Sequence, residues 1–436
     1  MPSRCILILL DGLGDRSFSC LGGKTPLQAA HTPHLDALAG QGANGLFHAD
    51  RMGVALPSEN AHFSLFGYDR DEFPGRGVLE AMGAGIEVSA DDVYILAHLV
   101  GVTERSGTLV LQKDRPRAEP SEVSAIVQAI ASYEYDGIRF HFRPTHGLDG
   151  ILTLTGPVSP YVTDTDPMWE GHPLTEVQPW RSFAKDIAAQ TTARALKQHL
   201  VWCYERLVNH PVNQSRQLRG AAPINAVATQ RPGRLRTVQS FKSRWGLRGL
   251  SISSGLVYWG LCTFLGMDIV KARETGDIGK DFAERLKLAR DGLKEYDLIH
   301  VHTKAPDTAA HTKNPHTKKA AIEALDHGLG EALGPLMSDP ETLIVVTSDH
   351  STPSAGPLIH SGEPVPIVIA GEGVRRDAIE RFDEIHCAGG ALGLVRGNEF
   401  MYLLLNYLDR AKLRGIMDTP DDQAFWPGDS KPFRVE

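Results

Sequence analysis

Three apolar segments that lie far apart in the chain each run into aspartate or histidine. One of them, residues 342–346, is β-branched and apolar without alternation, a pattern that indicates a fully buried strand. The polar residues that follow the three segments are Asp11 after residues 5–10, Asp307 and His311 after residues 298–301, and Asp349 and His350 after residues 342–346. The end of a parallel strand is where α/β proteins place their chemistry. The sequence therefore predicts an α/β fold whose functional residues follow strand ends.

Aspartate and histidine together indicate a metal site at these strand ends. Carboxylate and imidazole ligands suit Zn²⁺ or Mn²⁺, and His360 adds a further ligand in the loop after His350. Asp307 and His311 are spaced i, i+4, so on a helical turn they would share one face. Taken alone, each aspartate could lie in a turn or cap a strand end, and each histidine could be a hydrogen-bonded polar residue without a metal. The three segments together predict a metal centre.

Ser58 lies in a loop that leads into a predicted helix start. Serine is a favoured N-cap residue and Glu59 suits a first helical turn, so local sequence favours a capping role for Ser58. A serine at a helix N-terminus is also well placed to act as a nucleophile, because the helix dipole, its amides and a metal ion would stabilise the alkoxide and hold phosphate oxygens. Both interpretations remain open on the local sequence.

The ordered set of motifs resembles one known family. The motifs are residues 11–12, 22–27, 58–62, 75–81, 304–311, 349–353 and 360–366. Together they are similar to the cofactor-independent (2,3-bisphosphoglycerate-independent) phosphoglycerate mutases, specifically the archaeal-type branch within the alkaline phosphatase superfamily. The resemblance runs almost the whole chain and includes residues 210–213, 266–268 and 382–390. Each motif is weak alone, whereas the ordered set is highly specific.

The resemblance implies two divalent ions, Mn²⁺ or Zn²⁺, and no requirement for bisphosphoglycerate. One ion would be held by Asp11, Ser58, Asp349 and His350, and the other by Asp307, His311 and His360. Ser58 would be the nucleophile, which takes the phosphoryl group and returns it to a different oxygen, so that 2- and 3-phosphoglycerate interconvert. Two ions about 3.5–4 Å apart stabilise the attacking and leaving oxygens of such an in-line displacement.

The phosphate would also need cationic partners. The resemblance makes Lys304 and Arg76 catalytic candidates, and Arg115, Arg117, Arg216 and Arg231 candidates for substrate binding. Residues 96–99, 114–119 and 146–148 depart from the family pattern by losing arginines, which are suited to bidentate recognition of carboxylate and phosphate. An alternative is therefore a related phosphomutase or hydrolase that acts on a different phosphorylated or phosphonate substrate. A non-catalytic binding protein is a third hypothesis, which retention of all seven proposed ligands opposes.

The expected architecture has two parts. The resemblance implies an alkaline-phosphatase-like α/β core, with a central, mostly parallel sheet flanked by helices, and an inserted smaller α+β cap domain. A polar break at residues 89–92 and the return near Trp245 place the core at 1–90 and 246–436 and the substrate-binding cap at 91–245.

Composition narrows the possible partners. The chain has 436 residues, enough for two domains with a large core, and a net charge of −8. This charge gives no indication of binding to nucleic acid or membrane surfaces. The family resemblance implies a small phosphorylated substrate as the partner. Five cysteines without metal-type spacing suit a reducing compartment, and we expect a cytoplasmic enzyme. The sequence leaves the oligomeric state undetermined.

Overall fold

The computed structural model describes residues 2–428 and 430–435, which form two compact units. The first unit combines the chain up to Phe73 with the chain from Val238 onward, and the second unit is Pro74–Thr237. Both boundaries lie earlier in the chain than the predicted ones. The reason at the first boundary is that the helix Arg76–Gly83 packs on strands of the second unit through Val78 and Ala81.

The elements are as follows in chain order. The first unit begins with β1 Arg4–Leu10, α1 Pro26–Ala29, α2 Pro33–Ala39, β2 Ala43–His48 and α3 Ser58–Leu65. The second unit contains α4 Arg76–Gly83, β3 Val93–Arg105, β4 Thr108–Asp114, α5 Pro120–Ile130, β5 Ser132–Tyr135, β6 Ile138–His146, β7 Asp149–Thr155, α6 Ile187–Val208, α7 Pro211–Leu218 and β8 Ala226–Gly233.

The first unit then resumes. Its remaining elements are α8 Phe241–Trp245, β9 Gly249–Ser253, α9 Leu256–Phe264, β10 Asp268–Lys271, α10 Ile278–Gly292, β11 Leu298–Thr303, α11 Ala305–His311, α12 Pro315–Met337, β12 Thr342–Thr347, β13 Val365–Ala370, β14 Gly393–Arg396 and α13 Gly397–Tyr407. Short 3₁₀ helices occupy Ser19–Leu21, Arg70–Glu72, Arg181–Phe183 and Cys387–Gly389.

The first unit is built on a mostly parallel sheet. Its strand order is β10-β9-β11-β1-β12-β13-β2-β14, and β13 alone runs antiparallel to its two neighbours. The central strands are buried on both faces, as parallel strands covered by helices usually are. Ile6, Ile8 and Leu10 of β1 share one hydrophobic core with Phe282 of α10 and Ile322 of α12. This architecture confirms the predicted α/β core.

The second unit is an antiparallel sheet with helices. Its strand order is β4-β3-β7-β6-β5, with β8 also paired to β3. The inward-facing side chains of its strands include Ile95, Phe140 and Leu152. They form a second hydrophobic core with Leu196 of α6. The predicted smaller α+β domain is therefore confirmed as a fold. Its role in binding substrate stays a prediction.

In the part of the chain that the structure describes, no helix has the length and apolar character that crossing a membrane requires. All five cysteines are free thiols, and only Cys20 is exposed.

Candidate metal centre

The order of the central strands brings the predicted ligands together. Strand β1 lies between β11 and β12, and its last residues pair with Thr303 and Thr347 at the ends of those strands. The loop that begins at Asp11 therefore lies beside α11, which follows β11, and beside the turn that follows β12. Segments almost 340 residues apart in sequence meet at one edge of the sheet, where Gly12 N–H donates to Asp349 Oδ1 across 3.0 Å with a sequence separation of 337.

In the first predicted ligand set, the other three side chains lie close to His350. Its Nε2 atom lies 3.4 Å from Asp11 Oδ1, 3.2 Å from Asp349 Oδ2 and 2.9 Å from Ser58 Oγ. All four side chains are nearly inaccessible to solvent; Ser58, the most exposed residue of the four, has 6% of its surface exposed. The structure thus places two carboxylates, one imidazole and one hydroxyl around a common point.

The second predicted set surrounds Asp307. As expected from their spacing, Asp307 and His311 share one face of α11, with 3.2 Å between Asp307 Oδ1 and His311 Nε2. His360 Nε2 lies 3.6 Å from the same carboxylate oxygen. The ring of His360 stacks on the ring of His350 with 3.8 Å between centroids, so the two ligand sets are neighbours.

Each of the three carboxylates keeps one oxygen without a hydrogen bond from the described residues. These atoms are Asp11 Oδ1, Asp307 Oδ2 and Asp349 Oδ2, and all are buried. A buried carboxylate that lacks hydrogen bonds is costly unless a cation compensates it. Carboxylate and imidazole donors are the ligands that Zn²⁺ and Mn²⁺ accept. The residues present therefore fit divalent ions.

The charge states of Asp11, Asp307 and His350 suit cations, whereas the pKa of His360 is raised, because its hydrogen bond to Asp307 outweighs burial. Burial and the Asp307 charge oppose ionisation of Asp11, but the Lys304 charge and the hydrogen bond from His302 outweigh them and lower its pKa. Burial likewise opposes ionisation of Asp307, yet the hydrogen bonds from His311 and His360 lower its pKa well below the usual range. Burial lowers the pKa of His350 and keeps the imidazole neutral. Ionised carboxylates and a neutral imidazole are the forms that bind metal.

Ser58 is the first residue of α3, and its hydroxyl does not cap the helix. Pro57 occupies the N-cap position, and no side chain caps the free amides there. The capping interpretation of Ser58 is therefore wrong. Local sequence favoured it because serine is common at N-caps; the preceding proline takes that position with its extended backbone. The Ser58 hydroxyl instead faces His350 Nε2.

Several further residues contact the ligands, and two of them, Tyr258 and His302, were not identified from the sequence. The Tyr258 hydroxyl and His302 Nε2 both donate to Asp11 Oδ2, the latter across 3.1 Å. His62 Nδ1 donates to the Ser58 carbonyl across 2.8 Å and lies 3.4 Å from Asp349 Oδ2. His62 is four residues after Ser58 on the same helix, a spacing that was available from the sequence. Nothing local in the sequence of α9 indicated Tyr258.

The predicted cationic residues have different surroundings. Lys304 precedes α11, and its Nζ atom lies 3.5 Å from Asp307 Oδ2, so it contacts the second ligand set. Arg76 is the first residue of α4 in the second unit, where its Nε atom lies 2.7 Å from Glu80 Oε1. Arg117 is exposed, and the Arg231 amide donates to Asp164 in a left-handed backbone conformation with φ +50°.

Two of the predicted substrate-binding arginines form ion pairs within the second unit. Arg115 contacts both Asp114 and Asp149, at 2.7 and 2.8 Å. Arg216 is buried and donates to Glu122 and to two backbone carbonyls, so its guanidinium serves the local fold. Substrate contacts by these arginines stay predictions.

The altered segment at residues 96–99 contributes a buried histidine to the same unit. His98 Nε2 lies 3.2 Å from Asp114 Oδ1 and 3.5 Å from Asp166 Oδ2. A histidine between carboxylates thus stands at a position where the family pattern led us to expect an arginine-containing segment.

Known proteins resemble this chain over nearly its full length. Residues 3–407 match the profile of the metalloenzyme superfamily. A 2,3-bisphosphoglycerate-independent phosphoglycerate mutase 2 from Methanocaldococcus jannaschii is 40% identical over 95% of each chain, and a 2,3-bisphosphoglycerate-independent phosphoglycerate mutase from Methanopyrus kandleri is 36% identical over 95% of this chain and 99% of its own. The solved structure of a cofactor-independent phosphoglycerate mutase from Thermoplasma acidophilum is 28% identical, with a TM-score of 0.62 over 93% of this chain and all of that one.

Proposed function

The chain belongs to the archaeal branch of the 2,3-bisphosphoglycerate-independent phosphoglycerate mutases, a family of isomerases, and we propose that it interconverts 2- and 3-phosphoglycerate through a phosphoserine at Ser58. The observation that carries this proposal is the position of the Ser58 hydroxyl. It lies 2.9 Å from His350 Nε2, beside carboxylates that keep unpaired oxygens. A nucleophile among ligands for divalent ions is what transfer of a phosphoryl group requires.

We propose the division of ligands that the family resemblance implies; the ligand atom of His350 also lies within 4.8 Å of those of Asp307 and His360. Asp11, Ser58, Asp349 and His350 would hold one ion, and Asp307, His311 and His360 the other. Bound divalent ions would stabilise negative charge on the phosphoryl oxygens and lower the pKa of the serine hydroxyl. The donor set suits both Mn²⁺ and Zn²⁺.

The chain itself supplies the nucleophile and its orientation. Ser58 Oγ would lose its proton and bond to phosphorus while the bond from phosphorus to the substrate oxygen breaks, and that oxygen would take up a proton. In the return step the other glycerate hydroxyl would lose its proton and bond to phosphorus while the bond from phosphorus to Ser58 Oγ breaks, and Ser58 Oγ would regain a proton. The proposed reaction consumes neither water nor bisphosphoglycerate. Lys304, beside Asp307, would attract the anionic substrate, and Arg76 remains a proposed phosphate partner. The cytoplasmic location predicted from the cysteines also remains a proposal.

Phosphorus NMR of the Mn²⁺- or Zn²⁺-loaded protein with 3-phosphoglycerate tests the proposal. We expect 2-phosphoglycerate to appear with the wild type and with Ser64→Ala, and no turnover with Ser58→Ala. Ser64 is a matched control because it lies on the same helix and its hydroxyl donates to the Ala49 carbonyl, away from the ligands.

Two other results would contradict the proposal. Release of free phosphate would identify a hydrolase. Two bound ions without turnover would favour the alternative hypothesis, an enzyme for another phosphorylated or phosphonate substrate, which the loss of arginines from residues 96–99 motivates.

A further inference from the structure

We propose that Thr352 is a positioning residue whose single hydroxyl couples the two ligand sets. Thr352 Oγ1 lies 2.8 Å from Asp307 Oδ1, in the second set, and 3.1 Å from His350 Nδ1, in the first. The residue is fully buried. Among the contacts described for the centre, this hydroxyl is the one that hydrogen-bonds to a member of each set.

The number of protons fixes the direction of both hydrogen bonds. A threonine hydroxyl has one proton to donate, and an ionised carboxylate only accepts. Thr352 Oγ1 therefore donates its proton to Asp307 Oδ1, which lies 2.8 Å away. The second contact must then be donated by His350 Nδ1–H. Thr352 therefore selects the tautomer of His350 in which Nε2 carries a lone pair.

That lone pair faces the reacting group. His350 Nε2 is the atom that lies 2.9 Å from Ser58 Oγ and close to the carboxylates of Asp11 and Asp349. A neutral imidazole binds a metal only through its unprotonated nitrogen, and a hydrogen bond to the other nitrogen fixes which one that is. The Thr352 hydroxyl thus fixes the tautomer of His350 in the first set and orients the carboxylate of Asp307 in the second.

Close packing holds the Thr352 hydroxyl in place. The Thr352 amide donates to the Gly14 carbonyl across 3.0 Å. A Cβ atom added at Gly12, whose φ is +64°, would lie 2.6 Å from Thr352 Oγ1 and 2.8 Å from Asp307 Cβ. The loop after β1 therefore leaves room for glycine only, and the threonine has little freedom to rotate away from its two partners.

Loss of this hydroxyl should weaken both ion sites together. Thr352→Val keeps the shape of the side chain, but it removes the hydrogen bond to Asp307 and the partner of His350 Nδ1. Removal of a group that orients a metal ligand commonly lowers affinity by about 10–100-fold. The inference rests on the proposed function in one respect, since it assumes that divalent ions bind between these ligands.

Titration of the metal-free protein with Mn²⁺ or Zn²⁺ against a competing chelator tests the coupling, with the number of bound ions and both affinities as the readout. We expect Thr352→Val to lower both affinities by roughly 10-fold or more, and Thr352→Ser, which restores the hydroxyl, to bind both ions nearly as the wild type does. Tyr258→Phe, which removes a hydrogen bond from Asp11 alone, should weaken one site only. Thr347→Val is the control for loss of a buried hydroxyl, because Thr347 donates to the Pro366 carbonyl.

The outcomes separate this inference from the proposed function. Two ions bound by Thr352→Val with wild-type affinity would overturn the coupling and leave the proposed function intact. Weakening of one site alone would also overturn it. A wild-type protein that bound no divalent ion would overturn both. Circular dichroism of each variant shows whether a lost ion reflects a lost fold.

Discussion

At the residue scale, the buried His199 shows how the protein interior controls protonation. Its ring stacks on Phe140 with 4.6 Å between centroids and lies in the core of the second unit. Burial lowers the pKa of His199 to about 3. Between pH 6.5 and 3 the unfolded chain therefore binds a proton at this position that the folded chain does not. The contribution of His199 to stability is present above pH 6.5 and is lost as the pH falls through this range.

We expect His199→Leu to remove part of the acid sensitivity of the second unit. Each pKa unit between the folded and unfolded states corresponds to about 1.4 kcal/mol, so the slope of unfolding free energy against pH should flatten measurably between pH 6.5 and 3. Urea denaturation at a series of pH values gives this slope. His141→Leu changes an exposed histidine of β6 and serves as the control. An unchanged slope in the His199 variant would show that the ring is protonated in the folded protein.

The residues that we propose as ion ligands were easier to find in the sequence than the residues that contact them. Asp11, Asp349 and His350 follow apolar strands, so their chemical type and position were both visible in the sequence. Tyr258 and Thr352 contact these ligands through one hydroxyl each. Such contacts depend on side-chain positions fixed by packing of distant segments, which local sequence does not encode.

At the element scale, helix α12 fixes the loops that carry the ligands. Its Lys318 side chain is fully buried and donates to the carbonyls of Gly14 and Thr352, each across 2.8 Å. The same ammonium group lies 3.2 Å from Asp15 Oδ2. Asp15 in turn accepts from the Ser354 amide. One cation therefore ties the loop after β1 to the loop after β12.

We expect Lys318→Met to destabilise the protein by about 3–5 kcal/mol, because it leaves Asp15 buried without its partner. The double variant Lys318→Met, Asp15→Asn should recover part of this loss, since no uncompensated charge remains. Lys319→Met is the matched control. Lys319 is a half-exposed neighbour on α12, paired with Glu323, whose loss should cost about 0.5 kcal/mol or less.

Equilibrium unfolding in urea gives the unfolding free energies of the wild type and the three variants. Equal stability of the single and double variants would contradict the assignment of Asp15 as the unpaired group.

Elements with strong apolar patterns were predicted well. The strands β1 and β12, and the shared face of Asp307 and His311 on α11, all follow from the sequence. The antiparallel direction of β13 does not, because its residues Val365–Ala370 are as apolar as those of a parallel strand. The assignment of α4 to the second unit likewise depends on packing against β3 and β8, which the break at residues 89–92 did not reveal.

At the scale of the whole molecule, the proposed ligand carboxylates would link ion binding to stability. The three buried carboxylates each keep an oxygen without a hydrogen bond and repel one another, and bound cations would relieve this repulsion. A ligand that binds only the folded state stabilises a protein by about 2.7 kcal/mol per site when its free concentration is 100 times its Kd.

We therefore expect EDTA to lower the melting temperature, and added Mn²⁺ or Zn²⁺ to raise it in a concentration-dependent way. Thermal melts followed by circular dichroism check this, with Asp307→Asn as a variant whose response to the ions should be smaller. Melting temperatures independent of EDTA and of both ions would argue against ion binding by the wild-type protein.

The position of β1 in its sheet also determines when the protein can fold during synthesis. Both strands that pair with β1 come from residues 298–303 and 342–347, after the entire second unit. The strands of the second unit pair only with one another, so that unit can complete its sheet as soon as residue 237 has left the ribosome. Asp11 and Ser58 are among the first residues made, yet they must wait for residues 349–360 to join them. A nascent chain that stops short of His360 carries the proposed nucleophile, Ser58, without the complete set of proposed ligands.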